Sequence, residues 1–265
     1  IDEVSMLRAD VLDMMDFSLR FIRRNNQRFG GVQMLFIGDL YQLPPVVRDE
    51  HILKMYYNSP FFFDSHAIKE IPLITIELTK VYRQSDEDFL AILNAIRDGD
   101  IANIDFERLN ERYDPDFNSG DEPYVYLCSH NKMADDINQE KLDEIKVSSK
   151  TYEAKLFGEF KENQFPNEQF LDLKIGAQIM FIRNDISGEK RYFNGKLGEI
   201  SALDENEIKV ILDGREREIT VKREVWEQKK YFLDTDKNIK EEVLGSFEQF
   251  PIKLAWAVTI HKSQG

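Results

Sequence analysis

Two consecutive prolines at positions 44 and 45 constrain the fold of this chain more than any other local feature. Proline has a fixed φ and no backbone N–H, so neither a helix nor a central strand can continue through Pro44-Pro45. The apolar run 32–37 lies just before them and predicts a short buried strand that ends at Gly38-Asp39. Residues 38–45 are therefore expected to form a rigid polar loop at a strand end.

A helix is predicted ahead of this strand, because apolar residues recur at spacings of three and four between Asp10 and Asn25. Gly30-Gly31 is expected to end the helical segment. The residues expected on its apolar face are Leu7, Val11, Met15, Leu19 and Ile22. The order of strand end, helix and strand is typical of α/β proteins.

The same order returns further along the chain. Ser85-x-x-Asp88 resembles a capping box, and the helix that it opens is expected to stop at Gly99. The apolar run 124–128 predicts a strand, followed by a helix from about Asn131 to Ile145. A second α/β segment is therefore predicted.

The pattern changes near Gly176. Residues 178–183 predict a strand, and Asn194-Gly195 and Asp213-Gly214 are typical hairpin turns. Short strands with tight turns indicate a small antiparallel barrel inserted into the α/β part. After Pro251 the apolar run 252–258 predicts a return to a single strand, followed by a polar turn.

Composition restricts the class of protein without identifying it. The formal net charge of −14 means that any nucleic-acid contact must come from local basic patches. No run of about 18 apolar residues is present, so no membrane span is expected. The single cysteine, Cys128, lies in an apolar run and is expected to be a buried free thiol in a cytoplasmic protein, or a nuclear one in a eukaryote. The chain opens without Met or a signal pattern, which is expected of a processed or cut piece.

Two segments carry residues suited to nucleotide chemistry. Asp2-Glu3 provides adjacent carboxylates: one can hold a metal ion or its water shell, and the next can orient the water that attacks a γ-phosphate. Alone, such a pair also fits a solvated strand end. Gln42, held by Pro44-Pro45, can contact a phosphate oxygen.

These motifs resemble superfamily-one helicases of the RecD/PIF branch. The second and third motifs of that family resemble Asp2–Met6 and Gly38–Pro45, and its fourth resembles Leu78–Gln84. Tyr126–Asn131 precedes a helix, as in the second RecA-like domain of the family, and residues 176–200 resemble the start of its small SH3-like barrel. Residues 254–265, ending Thr-Ile-His-Lys-Ser-Gln-Gly, are similar to the fifth motif.

The resemblance implies an α/β fold with a partial RecA-like domain, a second RecA-like domain and an inserted SH3-like barrel. The expected bounds are residues 1–72 for the first domain, 73–175 and 250–265 for the second, and 176–249 for the barrel. Trp256 and the aromatic run 61–63 are expected to pack in the interior.

The resemblance also implies roles for single residues. Asp2 would bind Mg²⁺, Glu3 would position the hydrolytic water, and Gln42 would couple the γ-phosphate of ATP to domain closure. Arg83 would act as an arginine finger in cis, which can be worth ~10³–10⁵ in rate. The residues expected to contact or adjoin single-stranded DNA are Thr259, His261, Lys262 and Ser263, and those expected near the nucleotide cleft are Gln264 and Gly265.

The phosphate loop G-x-x-x-x-G-K-[ST] does not occur in the 265 residues, because Lys150-Thr151 and Lys262-Ser263 have no such glycines before them. The chain is therefore expected to be an inactive part of a monomeric helicase that moves 5′ to 3′. Three alternatives stay open: a non-catalytic module that binds single-stranded nucleic acid, a protein-interaction or structural remnant, and another P-loop ATPase.

Overall fold

The computed structural model describes residues 1–47, 50–82, 84–117, 124–212, 218–233 and 239–264. The chain divides into two compact units, Ile1–Phe117 and Asn118–Gly265. The helices are α1 (Ala9–Arg23), α2 (Glu50–Leu53), α3 (His66–Lys69), α4 (Glu87–Asp98), α5 (Phe106–Asn110), α6 (Asn131–Glu144) and α7 (Ile260–Gln264). The strands are β1 (Tyr126–Cys128), β2 (Lys150–Glu153), β3 (Lys155–Gly158), β4 (Phe170–Leu173), β5 (Gln178–Phe181), β6 (Leu197–Leu203), β7 (Glu207–Leu212), β8 (Glu218–Lys222), β9 (Glu224–Leu233), β10 (Ile239–Gln249), β11 (Ile252–Leu254) and β12 (Ala257–Thr259).

Helix α1 organises the first unit, and its predicted span is confirmed. The predicted apolar face is confirmed only in part: Leu7 and Leu19 pack against the core, whereas Val11, Met15 and Ile22 are exposed. Ile22 is 57% exposed and Met15 is 38% exposed, whereas Leu12 and Asp16 are buried. Asp16 turns inward because the backbone N–H of Phe29 donates to its carboxylate at 2.5 Å, and two arginines reach the same group. The core beneath α1 consists of Val4, Leu12, Phe29, Phe62, Ala67 and Ile68.

Residues 32–37, predicted as a buried strand, are instead an extended segment with alternating half-buried and exposed side chains. Their hydrogen bonds to residues 1–4 involve Leu35 and Ile37 and do not form a regular ladder. Leu35 and Ile37 are 68% and 50% exposed, while Phe36 stacks on Phe62 with ring centroids 5.7 Å apart. The predicted packing of the 61–63 aromatic run is confirmed for Phe62, which is 9% exposed.

Helix α4 begins at a different cap from the predicted one. The Asp86 side chain, rather than Ser85, accepts a hydrogen bond from the Phe89 backbone N–H at 3.0 Å. The Gln84 side chain accepts from the N–H groups of Ser85 and Asp86, which fixes the approach to the helix. The predicted end is confirmed, since Gly99 adopts the left-handed conformation with φ 69°.

The second unit contains a parallel pair of strands, β1 and β12, with Leu127 opposite Val258. Helix α6 packs against this pair, and its predicted span is confirmed. The Asn138 side-chain amide holds the helix to β12: it donates to the Ala257 carbonyl at 2.9 Å and accepts from the Ala257 N–H at 2.8 Å. Cys128 is buried and free, as predicted.

The larger part of the second unit is a five-stranded sheet in the order β11-β5-β6-β7-β8. Alternate side chains of β6, β7 and β8 are buried, which leaves the charged residues between them on the solvated face. Within the described residues the edge strands β8 and β11 do not pair, so the sheet is open and the predicted closed barrel is not confirmed.

Two predicted connections differ in detail. Asn194-Gly195 forms a turn closed by the Lys196 N–H and the Phe193 carbonyl, but it lies at the end of the long segment 182–196 rather than in a two-residue hairpin. The predicted single strand 252–258 is divided: β11 pairs with β5 and β12 pairs with β1. Trp256, between them, packs against the core of the second unit, as predicted. Asp213-Gly214 lies outside the described residues.

The predicted domain bounds stay a prediction. Among the helices in the described ranges, none has the length and apolar character that crossing a membrane requires.

Candidate functional site

The acidic pair and the loop before the two prolines meet at one edge of the first unit. The Ile37 N–H donates to the Ile1 carbonyl at 2.9 Å, and the Val4 N–H donates to the Ile37 carbonyl at 3.0 Å. These bonds place residues 2–3 beside Gly38-Asp39. Two motifs separated by 35 positions in the sequence are thus joined through backbone hydrogen bonds.

Gly38 allows this close approach. A Cβ atom at Gly38 would lie 2.9 Å from the Val4 nitrogen and 3.0 Å from Val4 Cγ1, which is closer than side chains tolerate. Glu3 itself adopts the left-handed conformation with φ 49°, uncommon for a residue with a side chain. Such strain is often found at functional sites, and here it turns the chain sharply between the two carboxylates and Val4.

The loop that carries Gln42 is held by Asp39. The Asp39 carboxylate accepts from the Tyr41 N–H at 3.1 Å and from the Gln42 side-chain amide at 3.3 Å. Arg97 of α4 approaches the same carboxylate at 3.5 Å and lies over the Tyr41 ring. The sequence did not single out Asp39 or Arg97 as site residues, because an Arg–Asp contact across 58 positions leaves no local pattern.

The Asp2 carboxylate is exposed, and its Oδ1 accepts the Glu3 backbone N–H at 2.9 Å. In the described part of the chain no three His, Cys, Asp or Glu residues cluster closely enough to hold a metal by themselves. One exposed carboxylate fits Mg²⁺, which keeps several waters and takes further oxygens from nucleotide phosphates. Asp2 therefore fits a shared Mg²⁺–phosphate site rather than a closed metal site.

Two expected nucleotide contacts, Arg83 and Gly265, lie outside the described residues. Gln264 is the last residue of α7. Their predicted roles stay predictions.

The expected DNA contacts lie at the end of β12 in the second unit. Thr259 is only 5% exposed, whereas His261, Lys262 and Ser263 are exposed on α7. The Ser263 hydroxyl donates to the Ile260 carbonyl at 2.7 Å. The predicted polar turn is thus a short helix that presents His261 and Lys262 to solvent.

Several other basic residues that could form a basic patch are ion-paired within the fold. Arg20 and Arg28 both pair with Asp16, and Lys229 pairs with Glu227 and Glu241. In contrast, the ammonium groups of Lys253 and Lys262 form no ion pair with another described residue. Lys253, next to α7 in space, was not singled out by the sequence because it stands alone in an apolar strand.

These motifs and the α/β units are similar to those of superfamily-one helicases of the RecD/PIF type. Residues 1–107 match the family model described as PIF1-like helicase. The chain is 32% identical over 292 residues to the ATP-dependent DNA helicase Pif1 of Campylobacter jejuni, covering 100% of this chain and 60% of that protein.

Two solved structures are similar over the whole chain. Bacteroides sp Pif1 in complex with ADP-AlF4 gives a TM-score of 0.78 at 37% identity, and Bacteroides Pif1 bound to ssDNA gives 0.73 at 38%. Each match covers 100% of this chain and 61% of the other. These comparisons support a PIF1/RecD-type superfamily-one helicase family for the chain, which spans about three fifths of the length of these relatives.

Proposed function

We propose that this chain is part of an ATP-dependent DNA helicase that moves 5′ to 3′ along single-stranded DNA. The observation that carries the proposal is the joining of Asp2-Glu3 to the Gln42 loop through the Val4–Ile37 hydrogen bond. The names of the relatives support it, since they are ATP-dependent DNA helicases and one was solved with ADP-AlF4. The direction of movement rests on the family resemblance.

In the proposed mechanism, Asp2 would hold Mg²⁺, which would offset negative charge on the phosphates of ATP, and Glu3 orients the attacking water. Gln42 contacts the γ-phosphate from a loop that Asp39 holds in place. Arg83 supplies positive charge to the terminal phosphate as charge accumulates in the transition state. The protein contribution is thus positioning and electrostatic stabilisation, which phosphoryl transfer mainly requires.

The proposed DNA contacts are Thr259, His261, Lys262 and Ser263. Exposed His261 and Lys262 can meet backbone phosphates directly, and the buried Thr259 can do so only through its backbone or after a local shift. Similarity to Bacteroides Pif1 bound to ssDNA supports this assignment. Phosphate contacts of this kind fix the strand without reading its sequence.

The test uses the complete protein with Glu3→Gln, and Glu77→Gln, which changes an exposed acid of the first unit, as the matched control. Glu3→Gln should retain ATP binding and lose most of the DNA-stimulated hydrolysis, because the amide cannot accept a proton from water. Duplexes with a 5′ or a 3′ single-stranded tail measure direction. Normal turnover in Glu3→Gln contradicts the catalytic assignment, and unwinding from a 3′ tail only contradicts the direction.

We further propose that the 265 residues alone bind ATP weakly and do not unwind DNA. Backbone amides and the lysine of a phosphate loop provide most of the grip on β- and γ-phosphates in P-loop proteins, and these residues contain no such loop. Calorimetry with Mg-ATP should detect no micromolar binding, and a micromolar Kd contradicts this proposal. Sedimentation is expected to give a monomer.

A further inference from the structure

Two neighbouring cavities of the second unit share three charged side chains. The larger, of about 660 Å³, is lined among others by Phe165, Met180 and Ile182, and by His261 of α7. The smaller, of about 170 Å³, lies against α6 and β12. Glu168, Lys253 and Lys262 line both cavities, and the larger volume is in the range of small-molecule sites.

Lys253 gives the larger cavity a cation that the fold does not neutralise. It lies in the middle of β11 directly opposite Met180 of β5, so both side chains share one face of the sheet. Burial, together with the charge of Lys262, lowers the pKa of Lys253 to about 8. Among the described residues no carboxylate lies within ion-pair distance of its ammonium group. A bound anion would therefore offset the repulsion between the charged forms of Lys253 and Lys262.

Carboxylates nearby limit which anion can bind. Glu168 lies beside both lysines, and Asp135 and Asp172 line the smaller cavity. Partial loss of hydration, with the charges of Asp135 and Asp172, raises the pKa of the Glu168 carboxyl. The smaller cavity, with three carboxylates and two lysines, is therefore too acidic for a phosphate. The larger one is lined by two carboxylates, Glu162 and Glu168, and by three basic side chains, Lys253, His261 and Lys262.

Part of the lining of the larger cavity is apolar and firmly held. The Phe165 ring packs on the buried Phe247 ring with centroids 4.9 Å apart. Met180 and Ile182 continue this wall, and Asn194 offers an amide at its rim. Apolar and aromatic side chains close to basic ones suit a nucleotide, whose base is flat and apolar and whose phosphate is anionic.

We propose that this cavity binds one nucleotide of single-stranded DNA, with its phosphate on Lys253, His261 and Lys262 and its base against Phe165 and Met180. The inference rests on the proposed function, because α7 must lie on the DNA path. The proposed DNA contacts of α7 involve only phosphates. The inference adds a further phosphate contact, Lys253, and apolar side chains that contact the base. Asn167, Gln169 and Asn194 also line the cavity, and the Asn167 amide already donates to the Phe250 and Ile252 carbonyls. Because stacking on an aromatic ring is possible for every base, binding should depend little on the identity of the base.

The first test measures binding of a fluorescent oligo-dT to the 265-residue chain by anisotropy at several salt concentrations. Lys253→Gln should weaken binding several-fold and reduce the slope of log K against log salt by about 0.7, the value for one single-strand phosphate contact. Lys209→Gln is the matched control, because Lys209 lies on β7 of the same sheet and pairs with Glu218. Equal binding by the two variants overturns the proposal.

The second test addresses the base. The chain should bind oligo-dT more tightly than an abasic oligomer of equal length, and Phe165→Leu should reduce that difference while keeping an apolar wall. With 5-iodouracil in the oligomer, photocrosslinks should fall within residues 160–184. Crosslinks on other segments only, or no preference for dT over the abasic strand, refute the base contact.

The outcomes also separate this inference from the proposed function. DNA binding that depends on Lys262 but not on Lys253 refutes the nucleotide cavity and leaves the proposed DNA contact of α7 intact. A wild-type chain that binds no oligonucleotide contradicts both. Thermal melting of Lys253→Gln checks folding, and no loss of stability is expected because the change removes a crowded charge.

Discussion

Replacement of Asp16 by alanine is expected to destabilise the first unit by about 3 kcal/mol. The buried carboxylate accepts the Phe29 N–H at 2.5 Å and pairs with Arg28 at 2.8 Å and Arg20 at 3.0 Å. Alanine leaves the Phe29 amide without an acceptor, which costs about 1–3 kcal/mol. The two arginines are 24% and 33% exposed, so water replaces part of their loss and each contributes about 1 kcal/mol or less.

Hydrogen exchange followed by mass spectrometry measures this effect in each unit separately. Because about 1.4 kcal/mol is a factor of ten, amides of α1 and of Phe29 that exchange through unfolding of the unit should exchange roughly 100-fold faster. Both tryptophans, Trp226 and Trp256, lie in the second unit, so the urea midpoint of tryptophan fluorescence should stay unchanged.

The matched control is Glu70→Gln, which removes the exposed second partner of Arg28. It should leave exchange in α1 unchanged. If Asp16→Ala accelerates exchange less than about fivefold, or no more than Glu70→Gln does, the buried carboxylate does not hold α1 to the segment 28–31, and the reasoning is wrong.

Three further predictions concern the site and its surroundings. First, DNA affinity should fall as pH rises through about 8, by up to about tenfold per pH unit, because Lys253 must be protonated to bind a phosphate. Burial and the charge of Lys262 lower the pKa of Lys253, while Asp135 and Glu168 raise it. Lys253→Gln should abolish this dependence in oligonucleotide titrations. Second, the Arg191 guanidinium holds the pKa of Asp185 well below its usual value. The resulting stability is present above the unfolded pKa, about 3.9, and is lost as pH falls towards the folded pKa. Asp185→Asn should therefore lower the melting temperature at pH 7 and make the melting temperature depend less on pH in the acid range. A melting curve that Asp185→Asn leaves unchanged refutes this prediction. Third, Gly38→Ala should destabilise the first unit by about 1–3 kcal/mol and lower ATPase activity in the complete protein, because its Cβ meets Val4; wild-type melting and turnover contradict this.

The sequence predicts elements well where local signals act alone. Helices α1 and α6 have the predicted spans, and Gly99 ends α4, because periodicity and a left-handed glycine act over a few residues. The sequence does not predict in the same way which side of α1 is buried. Asp16 is inside because Phe29, 13 residues away, donates to it, and no apolar pattern carries that information.

Strand predictions failed where pairing partners decide the outcome. Residues 32–37 have strand-like composition, but their hydrogen bonds to residues 1–4 do not form a regular ladder. The run 252–258 is one apolar segment in sequence, yet its two halves pair with β5 and β1. Barrel closure depends on edge strands meeting across the sheet, which hairpin turns do not specify.

The candidate site was predicted to different extents in its two parts. Asp2, Glu3 and Gln42 belong to short motifs, and the structure brings their segments together. Asp39 holds Gln42 through a contact within the same loop, while Arg97 and Lys253 reach the sites from distant elements. Such residues carry no local signal, so only coordinates reveal them.

The central claim is that Asp2, Glu3, Gln42 and Arg83 act together on the terminal phosphate of ATP. Its most direct measurement compares ATP affinity and single-turnover hydrolysis of the complete protein carrying Arg83→Ala with those of Arg112→Ala, an exposed control arginine. The account predicts that Arg83→Ala binds ATP almost normally and hydrolyses it at least about 1,000-fold more slowly, while the control behaves as wild type. Hydrolysis by Arg83→Ala at the wild-type rate would contradict it.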